Sequence, residues 1–510
     1  MLLRIRKFLR TRFFIGAAIL AVEFALIMTL FLRLYAFFLP FTFLAWFLQI
    51  SVFLYLVNKD GIPELKIPWL ITVMAIPVAG VFLYLLLSSS NAGKKECARY
   101  HAAREKTSIL LGEGSALDSV REECPQAYSQ AMFLKNTAGA PALSYKSVKY
   151  YDTGEKFHED LLKDLEAAKE FILLEYFIIA RGKMWDSIHE AIRRKAEAGV
   201  KVYVMYDDFG CFSTLPSDYA ETLTAEGIIA RPANRFRPVL SHIHNNRDHR
   251  KIAVIDGFIG YTGGINLADE YINAVVRFGN WKDTAVRIEG EAAKKFTALF
   301  IEGWNMQGGV EMAPMEFMRR YEGEKSEKGL AVPFGDSPAP IDIRDTAKNV
   351  YLNMINLATK YVYITTPYLI CDHELMAALS RAAQRGVDVR MITPHIPDKK
   401  IVFLLTRSNY KQLTQSGVKI YEYTPGFIHA KNFAADDRFA VCGTINLDYR
   451  SLVHHFECGV WMYDTDAVRD IRDDFLNTQA VSEQIENEKA ALTVFQRIVA
   501  QFVKVFSPMM

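Results

Sequence analysis

The chain has 510 residues, 51% of them hydrophobic, with 60 basic and 58 acidic side chains and a formal net charge of +2. That length suffices for two or three domains, and the near-neutral balance excludes the global basic field of a nucleic-acid-binding protein. The six cysteines (Cys97, Cys124, Cys211, Cys371, Cys442 and Cys458) show no C-x-x-C spacing, which argues against a zinc ribbon or a disulfide framework.

The hydrophobic excess is concentrated at the N-terminus. Residues 13–32, 34–57 and 68–87 each reach the ~20 apolar residues that a helix needs to cross a hydrocarbon core. They predict a transmembrane region over 1–87. It has three spans if all cross, or two if 13–32 and 34–57, parted only by Arg33, form a re-entrant hairpin. A cleaved signal peptide is the alternative for the first span. Its 20-residue core and the lack of an A-x-A site fit an anchor better. Seven basic residues flank one side of three crossing spans and six the other, so the positive-inside rule selects no orientation. Residues 88–144 are polar and read as a linker.

Beyond the linker the plan is α/β and repeats. An amphipathic run at 157–170 leads to an apolar strand at 171–179, a helix at 187–199 and a strand at 200–208. The second half repeats this as a helix at 346–360, a strand at 361–370, a helix at 374–386 and a strand at 387–395. Alternating strands and helices predict α/β layers, divided as a first lobe over 145–335 and a second over 336–510. The C-terminal stretch LTVFQRIVAQFVKVF reads as a helix with an apolar face, touching either a membrane surface or the catalytic body.

Each half then carries the same polar pattern on a short strand. His249, Lys251 and Asp256 in HRKIAVID recur 180 residues later as His429, Lys431 and Asp436 in HAKNFAAD. The same offset pairs GGIN, ending at Asn266, with GTIN, ending at Asn446. A strand alternates its faces, so each histidine projects with its lysine, and two lobes facing one another would bring both pairs into one cleft. Two imidazoles and two ammonium groups suit attack on a phosphodiester. The imidazoles act as nucleophile and acid/base, and the lysines provide positive charge for the phosphoryl oxygens. Asp256 and Asp436, at the strand ends, either orient the imidazoles or support the site remotely. Asn266 and Asn446 can donate amide hydrogens to phosphate oxygens, and Glu457 can brace a histidine of the other half.

His242 and His244 lack supporting carboxylates at metal spacing, and they read as a loop pair near the site mouth rather than as ligands. His454 and His455 read as packing or rim residues. No metal or other cofactor is required by this set.

The duplicated H-x-K-x4-D with its trailing G-x-x-N resembles the phospholipase D superfamily. The wider context resembles the bacterial cardiolipin synthase family: NNRDHRKIAVIDGFIGYTGGIN, FIHAKNFAADD, GTINLDYRSL with HHFE, TPYLI, and Trp69, Pro77, Gly80 and Tyr84 in the N-terminal region. The resemblance implies two phospholipase D-like α/β lobes related by a pseudo-twofold axis behind N-terminal transmembrane helices, at a bacterial cell membrane. It also implies transfer of a phosphatidyl group between two phosphatidylglycerol molecules, giving cardiolipin and glycerol through a phosphohistidine. By the same resemblance His249 is the nucleophile and His429 the acid/base, an order the symmetric motifs do not impose. A membrane-tethered phosphodiesterase or nuclease and a non-catalytic scaffold are the other classes considered. The intact duplicate motifs oppose the scaffold, and the net charge opposes the nuclease. The expected partners are the lipid substrate and the bilayer, with no nucleic acid. The sequence specifies no protein partner.

Overall fold

In a computed structural model of the chain the described residues are 21–23, 25, 26, 28, 29, 33, 39–76, 78–87, 93–114, 117–235, 246–326, 328–342, 344–486 and 490–509. Most of the expected span at 13–32, and the His242–His244 pair, lie outside them. Residues 95–234 and 247–500 form one compact unit.

That unit contains two sheets of the same design. The first lobe supplies β1 (Ser147–Tyr151), β2 (Phe171–Tyr176), β3 (Lys201–Asp207), β4 (Ile229–Ala233), β5 (Arg247–Asp248), β6 (Lys251–Ile255), β7 (Ile259–Gly263), β8 (Asn280–Lys282) and β9 (Ala285–Glu289). The second supplies β10 (Leu330–Asp336), β11 (Tyr361–Thr365), β12 (Leu369–Ile370), β13 (Asp388–Pro394), β14 (Lys419–Tyr423), β15 (Gly426–Ile428), β16 (Asn432–Ala435), β17 (Phe439–Gly443), β18 (Leu447–Asp448), β19 (His455–Tyr463) and β20 (Ser482–Ile485). The first sheet runs β1-β9-β7-β6-β2-β3-β4. The second repeats that order as β10-β19-β17-β16-β11-β13-β14 and adds β20.

Buried strands explain why these segments read as nearly continuous apolar runs. In each lobe β2–β3–β4 or β11–β13–β14 are parallel, joined through helices, and β6, β7 and β9, or β16, β17 and β19, continue the sheet antiparallel. The helices Gly154–Ala167 and Lys183–Glu197 cover one face of the first sheet through Phe157, Leu161, Leu165, Trp185, Ile188 and Ile192, spaced three and four apart. The opposite faces of both sheets share one core. There Ile252, Val254 and Val286 join Tyr363, Ile392 and Val460, and the helices Lys294–Met306 and Asp466–Ala480 contribute Trp304 and Phe475.

The stretch expected as a linker is folded. Helices Lys94–Leu111, Asp118–Glu123 and Pro125–Ala138 occupy it. Cys124, Ala127, Ala131, Leu134 and Ala138 are buried in the same core as Val350, Ile355 and Leu379 of the second lobe. All of the former but Leu134 are small, and the charged and polar residues between them lower the mean hydropathy, so the segment reads as polar while still giving a helix a buried face.

The N-terminal apolar runs also differ from expectation. Among the described residues no helix is long and apolar enough to cross a membrane. The run at 68–87 is broken into Pro63–Ala75 and Ala79–Leu87, about 20 and 14 Å long at 1.5 Å per residue, against a hydrocarbon core of about 30 Å. Gly80 permits the close return, since a Cβ there would lie 2.3 Å from the Thr72 carbonyl oxygen. Val52 and Leu56 of the helix Leu39–Asn58 pack with Val73, Val81 and Tyr84, and Trp69 meets Tyr84 edge to face at 5.5 Å.

Candidate active site

The two histidines are delivered by strands that leave their own lobe. β5, just ahead of His249, pairs in parallel with the start of β19 in the second lobe, Arg247 opposite His455 and Asp248 opposite Phe456. β15, just ahead of His429, pairs in parallel with β8 of the first lobe, Phe427 opposite Trp281 and Ile428 opposite Lys282. His249 N donates to Phe456 O at 3.0 Å and His429 N to Lys282 O at 2.7 Å. The exchange is matched, as a pseudo-twofold relation requires, and its register sets each histidine level with the residue after the last paired one on the partner strand, Glu457 within β19 and Asp283 just beyond β8.

Those next residues are carboxylates. His249 Nδ1 lies 2.9 Å from Glu457 Oε1 and 3.1 Å from Oε2, and His429 Nδ1 lies 2.7 Å from Asp283 Oδ2. Each carboxylate therefore comes from the lobe opposite its histidine. With Nδ1 held, Nε2 of each ring is the nitrogen left for chemistry. The two halves solve the carboxylate's placement differently. At the second position of GTIN the Thr444 hydroxyl donates to Glu457. At the matching position of GGIN a Cβ on Gly264 would lie 2.0 Å from Asp283 Oδ1, so only glycine admits the shorter acid.

Lys251 and Lys431 are almost fully buried, and each donates its ammonium to the carbonyl of the histidine two residues before it, Lys251 at 2.6 Å. Between His249 and Lys251, Arg250 points to the other face of the strand. There its guanidinium pairs with Glu175 at 2.6 Å and Asp248 at 2.8 Å and braces β5. Aromatic rings wall the site: Phe177 stands 5.0 Å from His249, and Tyr271 and Trp281 stand 5.6 and 5.7 Å from His429.

The model of the cardiolipin synthase phospholipase D-like domain matches residues 161–304 and 351–478, the stretches that carry both sets. The chain belongs to the cardiolipin synthase family. It is 32% identical over 467 residues to cardiolipin synthase 2 of Bacillus anthracis, covering 90% of this chain and 89% of that protein. It is 41% identical over 472 residues to an uncharacterized protein of Streptococcus mutans, covering 91% of this chain and all of that one. Among solved structures, phosphatidylserine synthase of Haemophilus influenzae superposes with a TM-score of 0.56 at 15% identity, over 75% of this chain and 98% of that one, a likeness of fold. Phosphatidyl transfer is the activity of the cardiolipin synthase family.

Within this family member the aspartates of the two motifs stand away from the chemistry. Asp256 accepts from the backbone N–H groups of Lys169, Glu170 and Phe171 at 2.8–3.0 Å. Asp436 accepts from those of Thr359, Lys360 and Tyr361 at 2.7–2.9 Å and from the Thr359 hydroxyl. Both occupy the left-handed region, at φ 53° and 56°, which Asp tolerates better than most residues. Of the two roles the sequence left open, the contacts match remote support, since the imidazoles are oriented by Glu457 and Asp283 instead. Asp436→Ala is expected to lower unfolding free energy by about 2–4 kcal/mol through loss of these charge-assisted bonds, with activity per folded molecule within about tenfold of wild type. Denaturant titration read beside an assay normalised to folded protein checks this, and full stability with abolished turnover would refute it.

Asp283 was missed because it breaks the 180-residue offset. It lies 17 residues after Asn266, whereas Glu457 lies 11 after Asn446. An acid following each G-x-x-N within about 20 residues was the available signal. Asn266 is engaged, its Oδ1 accepting from Ile178 N at 3.0 Å and its Nδ2 donating to the Tyr271 hydroxyl at 2.7 Å. Asn446 Oδ1 is buried with no hydrogen-bond partner among the described residues. His454 and His455 are both buried.

Burial drives both imidazoles toward the neutral form, His249 down to about 3 against the pull of Glu457, and His429 well below its ordinary value with help from Lys431 and Lys251. Burial likewise lowers Lys251 to about 8 and Lys431 to about 7, opposed by Glu457 and Asp283 respectively. It raises Asp283 to about 7 against Lys431. That Lys251 acts on His429 and Lys431 on Glu457 places the two sets in one electrostatic site. The lysine charge is complete only well below pH 7, and it is half lost from Lys431 at about pH 7 and from Lys251 at about pH 8. Hence kcat/KM for an anionic phosphodiester is expected to fall across that window. The bound phosphate raises both lysine pKa values, so kcat should fall only at higher pH. Coincident kcat and kcat/KM limbs would show that the lysines do not meet the phosphate.

Proposed function

We propose that this protein condenses two phosphatidylglycerol molecules into cardiolipin and glycerol, with His249 forming a phosphohistidine and His429 acting as acid and then base. The observation that carries the reading is the pair of imidazoles from opposite lobes, each with Nδ1 on a carboxylate and a buried lysine beside it. His249 Nε2 attacks phosphorus, the bond to the head-group glycerol breaks, and that oxygen takes the proton of His429. The hydroxyl of a second phosphatidylglycerol then attacks phosphorus, gives its proton to His429 and releases His249.

An inequality between the halves supports this order. Burial opposes ionisation of Glu457, yet its contacts with His249 keep it below the ordinary carboxylate range. An ionised partner on Nδ1 makes Nε2 of His249 the stronger nucleophile. Asp283, pushed up to about 7, lets its pair with His429 hold an additional proton near neutrality, as an acid requires. Asn266, Asn446 and the two lysines are read as facing the phosphate.

The enzyme is read as working at the cell membrane, anchored by its N-terminal apolar segments. Phe43 and Phe47 on the helix Leu39–Asn58 are each 70% exposed. Phe495, Ile498 and Phe502 form an exposed stripe on the helix Val494–Phe506, with Arg497 interspersed. A bilayer supplies a second lipid hydroxyl at high local concentration, which lets transfer outcompete hydrolysis. Full-length protein in phosphatidylglycerol bilayers is therefore expected to yield cardiolipin well in excess of phosphatidic acid, measured by mass spectrometry. Phosphatidic acid as the main product would replace the synthase reading with that of a phospholipase.

A further inference from the structure

A third imidazole stands in this site. His455 opens β19 two residues before Glu457, so strand alternation directs both side chains to one face. Its ring centroid lies 5.3 Å from that of His249, and its Nδ1 lies 3.6 Å from Glu457 Oε1, beyond hydrogen-bond length. Only 7% of the residue is exposed, yet neither ring nitrogen has a hydrogen-bond partner among the described residues. Burying a polar ring in that state is unfavourable unless something arrives to pair it. Glu457 is already engaged by His249 and by the Thr444 hydroxyl.

The chemistry of the missing partner follows from the surroundings. His249, His455 and Glu457 present donor atoms within 4.8 Å of one another, a spacing that would suit a cation. The charge of Lys251 acts on His249 and that of Lys431 on Glu457, so a divalent cation is disfavoured and an anion welcomed. In an in-line displacement with His249 as nucleophile, phosphorus and its equatorial oxygens come to the His249 side, while the departing and entering hydroxyls lie toward His429.

We propose that His455 is a third substrate-contacting imidazole, donating a ring N–H to a phosphoryl oxygen of the phosphodiester held at His249. The proposal rests on the phosphoryl-transfer reading above. Its test uses orthovanadate, which imitates the phosphoryl group without a lipid or a head group, on the full-length enzyme and the variants His455→Phe and His455→Asn. Phenylalanine keeps the ring and removes the donor, and asparagine restores a donor. In His455→Phe the vanadate inhibition constant is expected to rise roughly tenfold or more, as for loss of one hydrogen bond to a charged group. The KM for glycerol in the reverse cleavage of cardiolipin should stay unchanged, and His455→Asn should recover most of the vanadate affinity at an unaltered melting temperature. A raised glycerol KM with unchanged vanadate inhibition would overturn the phosphoryl assignment in favour of a head-group contact. Unchanged values for both, or equal loss in both variants with lowered melting temperatures, would reduce His455 to packing. A wild-type enzyme indifferent to vanadate would instead overturn the phosphoryl-transfer reading, and this proposal with it.

Discussion

Replacing either His249 or His429 by alanine is expected to lower turnover of phosphatidylglycerol by about four orders of magnitude or more, because in the proposed mechanism the two imidazoles act on one phosphoryl group as a unit. The lysines and both carboxylates remain in each variant, so charge neutralisation survives while bond making or proton transfer fails. The two losses differ in kind, and a substrate that needs no acid separates them. With a p-nitrophenyl phosphodiester the leaving group departs unprotonated. His429→Ala should then still release a burst of about one nitrophenolate per site and stall as the phosphoenzyme, whereas His249→Ala should release none. A burst from His249→Ala and none from His429→Ala would reverse the assignment, and near-normal turnover by either variant would dismantle the one-site mechanism.

The second large effect concerns the carboxylates that hold Nδ1. Glu457→Gln is expected to reduce kcat by roughly 10³- to 10⁴-fold, since an amide can donate to Nδ1 and so place the ring proton on Nε2, where the lone pair is needed. Glu457 is ionised across the neutral range, so this loss should be nearly independent of pH. Asp283→Asn should behave differently. Asp283 is pushed up to about 7: below that value its pair with His429 holds the additional proton that the leaving oxygen takes, which an amide cannot hold. Above it the wild type loses that proton as well, so the deficit should be largest at low pH and shrink as pH rises. The ratio of wild-type to Asp283→Asn kcat, followed from pH 6 to 8.5, reads this directly. A flat ratio would mean that Asp283 keeps one protonation state throughout, and melting temperatures should stay close to wild type in both variants.

Much of the molecule was legible before any coordinates because its information is local. Period-two alternation puts His249 with Lys251 and His429 with Lys431, and the helix-strand-helix-strand order of each half dictates an α/β layer. The common 180-residue offset of H-x-K and G-x-x-N announces two copies of one unit. None of this depends on which distant segments meet. The continuous span expected over 68–87 already failed a local test, since that run carries Pro77 and the chain returns on itself at Gly80. The buried face at Cys124, Ala127, Ala131 and Leu134 was hidden for an equally local reason, the polar and charged residues between them that lower the mean hydropathy of the segment.

What only the tertiary structure decided is how each residue is used. Asp256 lies in sequence beside His249, yet its carboxylate serves amides 85 to 87 positions away. His249 takes its own carboxylate from Glu457, 208 positions away, and His429 from Asp283 at 146. Those pairings exist because β5 and β15 each dock on the opposite lobe, and inter-strand register is set by long-range backbone hydrogen bonds that leave no periodic trace in sequence. Two duplicated halves therefore announce a bipartite site by their motifs and offer Glu457 as a brace for a histidine of the other half, while Asp283, and the place of His455 beside His249, emerge only when the lobes exchange strands.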